Sequence, residues 1–181
     1  MDLKRNHLLA NQRILVLVED LYEDLELWYP VLRFREEGAQ VVLAGTGKKT
    51  YQGKHGYPVT VDSHINSITG KDFHAVVIPG GYAPDRLRRY PEVLSLIQDM
   101  YKSEKVVAAI CHAAWIPISA GIVKGKRMTC FASIKDDLIN AGALYEDAEV
   151  VRDGLLISSR QPEDLGAFCR EIIQALGPST G

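Results

Sequence analysis

At 181 residues, with 46% hydrophobic and 24% charged, the chain has the make-up of one globular domain long enough to bury a full core. A formal net charge of -2 gives no electrostatic case for nucleic acid or an anionic membrane as the main partner, and no apolar run approaches a membrane span. The opening MDLKRNHLLANQR lacks a signal-peptide core, and three cysteines (Cys111, Cys130, Cys169) without metal-type spacing suit a reducing, cytoplasmic setting.

In chain order, RILVLV (Arg13–Val18) is a short apolar run expected for a strand covered on both faces. EDLELWYPVLRFREEG follows with helical spacing, placing Leu25, Trp28, Leu32 and Phe34 on or near one stripe that Gly38 stops. AQVVLAG is the second strand, and YQGKHGYPVTVD, broken by Gly and Pro, reads as an irregular strand or hairpin insert. FHAVVIPGG is a third buried strand ending in a Pro-Gly-Gly turn. Pro91 to Lys102 is a helix, and KVVAAI the fourth strand. A helix ended by Gly121 comes next, then a short helix in IKDDLINAGA and a hairpin turning at Asp153-Gly154. Cys130 falls after RMT in an expected strand. An amphipathic helix starting at Pro162 closes the chain and carries Cys169 with Leu165, Ile172 and Ile173. Strands alternating with helices predict a mostly parallel sheet with helices on both faces, whose ligands bind beyond the carboxyl ends of the strands.

Cys111 and the Gly80-Gly81 turn both fall at such ends. A nucleophile elbow needs small residues two before and two after its nucleophile, and Ala109 and Ala113 stand there. The helix beginning beside Cys111 is expected to favour thiolate, the reactive form. Buried structural roles suit Cys130 and Cys169. No histidine follows His112, so any histidine assisting Cys111 is His112 itself or one from the insert around His55. Glu19, Asp20, Glu23, Asp24 and Glu26 crowd the end of the first strand on the same sheet edge, and spacing does not choose among them. One of them beside the thiol would be protonated by burial and by the neighbouring charge. The amides of the IPGGYAPD turn fit an oxyanion pocket. Arg160 in LISSRQPED is placed at the pocket entrance. His55, His64 and His74 lack paired ligand spacing, so neither metal nor cofactor is expected.

The blocks YEDLELWYP, GKHGYPVTVD, VVIPGGYAPDRLR, AAICHAAW, SAGIVKGKRMT, IKDDLINAGA and DAEVVRDGLLISSRQPEDLGAF follow one another in an order that resembles the ThiJ/PfpI superfamily. Within it the chain is most similar to PfpI-type intracellular cysteine proteases and the related protein deglycases and glyoxalases. The resemblance implies a flavodoxin-like three-layer α/β sandwich over residues 13–176, with 1–12 as an N-terminal extension and 177–181 as a tail. It implies Cys111 as nucleophile with His112 beside it, Glu23 as the glutamate that contacts the thiol, and Gly80 and Gly81 in the oxyanion pocket. Asp85 falls where PfpI-type proteases carry a glutamate that reaches the histidine of a neighbouring subunit, so a homo-oligomer, dimer or hexamer, is implied. Two positions differ from the family pattern: Ala113-Ala114 replaces Gly-Pro after Cys-His, and Asp85 is one methylene shorter than glutamate.

The expected activity is cofactor-free cysteine chemistry on small reactive 2-oxoaldehydes or glycated protein adducts, of glyoxalase or deglycase type, in a stress response. An intracellular cysteine peptidase using Cys111, His112 and Asp85 is the alternative, and a redox-sensing or chaperone-like stress protein is another.

Overall fold

The computed structural model describes residues 7–177, so the first half of the expected extension 1–12 and all of the tail 177–181 except Gly177 lie outside the described residues. From His7 onward the chain is packed: Leu9 is fully buried, and Gln12 Nε2 donates to the Leu176 carbonyl at 3.1 Å.

β1 (Arg13–Val18) leads through α1 (Asp24–Glu36) to β2 (Gln40–Gly45). A hairpin of β3 (Thr50–Gln52) and β4 (Pro58–Thr60) and a short β5 (Ser63–His64) precede β6 (Ala75–Ile78). After α2 (Ala83–Leu87) and α3 (Pro91–Lys102) come β7 (Val106–Ile110), a 3-10 turn at Cys111–Ala114 and α4 (Trp115–Ser119). β8 (Arg127–Met128), α5 (Lys135–Asn140) and β9 (Leu144–Tyr145) lead to the hairpin β10 (Val150–Asp153) and β11 (Leu156–Ser159), and α6 (Leu165–Leu176) ends the fold.

Seven strands form one sheet in the order β10-β11-β7-β6-β1-β2-β5, parallel throughout except for the β10–β11 hairpin at one edge. Side chains alternate across it. Ile14, Val16 and Val18 of β1 pack with Leu27, Val31 and Phe34 of α1 and with Phe168 and Ile172 of α6. Leu15 and Leu17 face the other way, toward Val93, Ile97 and Met100 of α3 and Ile116 of α4. Helices on both faces leave no solvated side, which is why β1, β6 and β7 read as continuous apolar runs.

Three local expectations change. The inward stripe of α1 is Leu27, Pro30, Val31 and Phe34, joined by Glu26; Leu25 and Leu32 lie on the outer face at 59% and 60% exposure, and Trp28 is half-buried. The two stripes are adjacent on the helix, and spacing does not say which one meets the sheet. Pro162 opens a 3-10 turn (Pro162–Asp164), and the α-helix starts only at Leu165. Cys130 is buried beyond the end of β8 rather than within a strand.

From β1 the chain turns to β2 on one side, then returns to β6 on the other. Strand order therefore reverses between β1 and β6, and the loops leaving these two strands border one crevice. β7 ends beside it.

Candidate active site

The buried strand β7 runs straight into Cys111, whose φ of +64 is left-handed. A residue with a Cβ holds that conformation at a cost of about 1–2 kcal/mol, so the surrounding packing must enforce it. The enforcement is visible: Ala109, Ala113 and Ala114 are all buried in the layer beneath, leaving the turn no room to relax. Ala114 sits at φ -56, within the range of proline, so the alanine accepts the same turn without strain. The elbow places Cys111 on a cleft of about 380 Å³ with Glu26, His112 and Phe131 on its walls.

Glu26 is the carboxyl at the thiol. It is fully buried, and its Oε2 accepts from the Gly80 amide at 2.8 Å while its Oε1 has no hydrogen-bond partner among the described residues. A Cβ built on Gly80 would lie 2.5 Å from Glu26 Oε2 and 2.7 Å from Cys111 Cβ, so both side chains press on one point that only glycine leaves open. Burial pushes the Glu26 carboxyl up to about 8, with the Gly80 amide opposing. The group is therefore mostly neutral at pH 7, and a proton on its otherwise unpaired oxygen can be donated to the sulfur. Glu23, the residue the resemblance singles out, lines the same cleft but turns to the β3–β4 insert. Lys54 Nζ lies 2.6 Å from its Oε2 and His55 Nε2 lies 3.6 Å from its Oε1.

The thiol itself departs from expectation. Burial and the facing Glu26 charge push Cys111 up to about 12, against the pull of the His112 and Gly81 amides. A full helix end would stabilise thiolate, but Cys111 is followed by one 3-10 turn and a five-residue helix, whose end charge is small. Desolvation wins, and the resting form is the thiol.

His112 stands beside the sulfur although it is the next residue in sequence. Its Nδ1 is 3.3 Å from Cys111 Sγ and its Nε2 is 3.0 Å from Ser133 Oγ. The ring stacks on Phe131 at 5.1 Å and meets the edge of Trp115 at 5.2 Å. Burial, then the charge of Lys54, lower its proton affinity, which keeps the imidazole neutral and able to accept a proton.

The Gly80-Gly81 turn divides its duties. The Gly80 amide is occupied by Glu26, whereas the Gly81 and His112 amides face the sulfur. Gly81 has φ +78, and a Cβ there would strike the backbone of Leu21, Tyr22 and Glu23. Ala113 serves the packing below the elbow and does not reach the cleft. Asp85, on α2, pairs with Arg89 one turn along and is not among the residues lining the cleft that His112 borders. Arg160 braces rather than lines the entrance: its guanidinium binds Asp147 at 2.8 Å and the buried Asp164 at 2.8 Å and 3.0 Å, which holds Gln161, Pro162 and Glu163 at the rim. Ser133 and Lys54 escaped the sequence reading, because nothing local marks a serine or lysine that only tertiary contact brings to the site. Glu23, Asp24 and His55 place ligand atoms within 4.8 Å of one another. The Lys54 ammonium on Glu23 and backbone amides on both Asp24 oxygens already satisfy that cluster.

Comparison with known proteins agrees with this architecture. The DJ-1/PfpI family matches residues 12–175. Over 164 residues the chain is 44% identical to the protein named Deglycase PfpI of Pyrococcus furiosus, covering 91% of this chain and 99% of that one. Protein/nucleic acid deglycase 2 of Escherichia coli is 39% identical over 170 residues, covering 92% and 99%. A two-domain protein from Anabaena variabilis, with DJ-1/ThiJ/PfpI-like and ferritin-like domains, superimposes with a TM-score of 0.90 at 37% identity; 91% of this chain matches 48% of that one.

Proposed function

The chain belongs to the DJ-1/PfpI family, and from that premise we propose that it is a cofactor-free cysteine enzyme of the glyoxalase or deglycase type. Its substrates are reactive 2-oxoaldehydes or the glycated protein adducts they form, and its setting is the cytoplasmic stress response. The observation that carries this reading is the buried pair of Cys111 and Glu26, coupled to each other on a cleft of small-molecule size. Relatives named as deglycases support it.

Methylglyoxal would be converted in four steps. Cys111 Sγ bonds to the aldehyde carbon, the thiol proton passes to His112 Nδ1, and the Glu26 proton goes to the aldehyde oxygen, giving a hemithioacetal. The Glu26 carboxylate then takes the proton from that carbon while imidazolium protonates the ketone oxygen, forming an enediol. Glu26 returns its proton to the neighbouring carbon and His112 recovers one from oxygen, leaving a 2-hydroxyacyl thioester. Water, deprotonated by Glu26, attacks the thioester, and His112 reprotonates the departing sulfur. The Gly81 and His112 amides face the developing charge. Glu26 rather than Glu23 is assigned the shuttle because Glu26 meets the thiol and Glu23 is engaged by Lys54.

Incubation with methylglyoxal should yield lactate, and Cys111→Ala should yield none. Lactate no higher than in that variant would overturn the assignment. The same reading includes a homo-oligomer. The outer face of α1 carries Leu25, Tyr29 and Leu32 at 59%, 41% and 60% exposure, and this apolar stripe is assigned to the contact with a second copy.

A further inference from the structure

We propose that Ser133 is a positioning residue that holds His112 in the tautomer with a free lone pair on Nδ1, so that the Cys111–His112 pair is complete within one chain. The inference rests on the reading of Cys111 as nucleophile.

Aromatic packing fixes the plane of the His112 ring. Phe131 stacks on it, and Trp115 meets its edge; Trp115 is itself anchored by its Nε1–H to Asp137 at 2.8 Å and lies under the Arg88 guanidinium at 5.4 Å. Packing alone does not choose between the two ring flips, because a half-turn fills nearly the same volume. The polar contacts choose. A flip would withdraw Nδ1 from Cys111 Sγ and Nε2 from Ser133 Oγ together, losing both hydrogen bonds.

In this arrangement the Cys111 S–H donates to Nδ1 across the 3.3 Å contact, and Nδ1 accepts. The ring proton then sits on Nε2 and is donated to the Ser133 hydroxyl. Ser133 reaches that place because its segment is tied to the elbow: the Phe131 amide bonds to the Cys111 carbonyl at 3.4 Å, and the turn Ala132–Ile134 follows at once.

The charged groups around the ring do not offer a substitute. Lys54 faces it from the insert, and Glu23 and Glu26 lie across the cleft, with Glu26 turned to the thiol and Gly80. Glu163 stands on the far rim, and Arg88 and Asp137 act on Trp115. Asp85 pairs with Arg89. Among the described residues Ser133 is the partner of Nε2, and with both ring nitrogens engaged His112 needs no carboxylate from a second copy. When the sulfur attacks an electrophilic carbon, the S–H electron pair becomes the new S–C bond and the proton moves to Nδ1. The Nε2–H bond to Ser133 then strengthens as imidazolium forms.

The test is the pH dependence of Cys111 alkylation by iodoacetamide in the full-length protein, read by peptide mass spectrometry with buried Cys130 and Cys169 as internal references. In that reaction iodide leaves with the C–I electron pair, so the readout is independent of carbonyl turnover. Ser133→Ala should slow alkylation near pH 7 by roughly five- to tenfold, and Ser133→Thr should restore it. Nitrogen NMR of His112 should show unprotonated Nδ1 and protonated Nε2 in the parent protein, and a mixture in Ser133→Ala. A parent ring protonated at Nδ1 would overturn the proposal. So would a Ser133→Ala profile that overlays the parent, or an Asp85→Asn profile that moves when that of Ser133→Ala does not. Absence of lactate with the alkylation response intact would defeat the carbonyl reaction alone.

Discussion

Glu26 shows how burial makes an ordinary carboxyl hold its proton near neutral pH. Its folded value of about 8 lies above the ordinary 4.5, so the folded chain binds an extra proton between those limits. The stabilisation linked to that proton is complete below about pH 4.5 and is lost as pH climbs through 8. Glu26→Gln keeps an acceptor for Gly80 and has nothing to ionise. It should therefore be more stable than the parent at pH 8 by a few kcal/mol, because each tenfold change in proton affinity is worth about 1.4 kcal/mol. The two proteins should converge near pH 4.5, and urea unfolding at both pH values measures this. Removing the facing charge should also move Cys111 alkylation to lower pH, because Glu26 is one of the causes that raise the thiol. Lactate formation should vanish in the same variant.

At the scale of elements, the site is the meeting of three strand ends with two tight turns. The turn after β6 is crowded, since Gly80 is flanked by Glu26 Oε2 and Cys111 Cβ. Gly80→Ala must separate the two side chains whose contact the proposed chemistry uses. Its expected cost is about 1–3 kcal/mol of stability from overpacking, with methylglyoxal turnover lost in a protein that still folds; circular dichroism melts beside the lactate assay check both. The elbow was readable in the sequence because Ala109 and Ala113 flank Cys111 at the spacing a strand-to-helix turn demands. The helix behind it was legible too, as the run closed by Gly121, but its length was not: it holds only Trp115–Ser119, and that brevity removes the helix-end charge that would have favoured thiolate.

For the whole molecule, the sheet order brings the site's strand ends together, and Leu25, Tyr29 and Leu32 stay exposed on the outer face of α1. Leu25→Glu combined with Leu32→Glu should lower the mass measured by sedimentation to that of one chain. Alkylation of Cys111 should persist in that variant if His112 is satisfied within the chain. Parent protein that sediments as a single chain would remove the oligomer from the reading. Alternating apolar strands and amphipathic helices, with Gly and Pro at the turns, were enough to determine an α/β fold with a mostly parallel sheet and Cys111 at its edge, because hydrophobic periodicity is a local property written along the chain. Which of five neighbouring carboxyls meets the sulfur, and which hydroxyl meets the histidine, only the tertiary structure decided. Glu26 is 85 residues from Cys111 and Ser133 is 21 from His112. Desolvation and hydrogen-bond geometry at such pairs depend on how separate elements pack, and no local pattern in the chain records that.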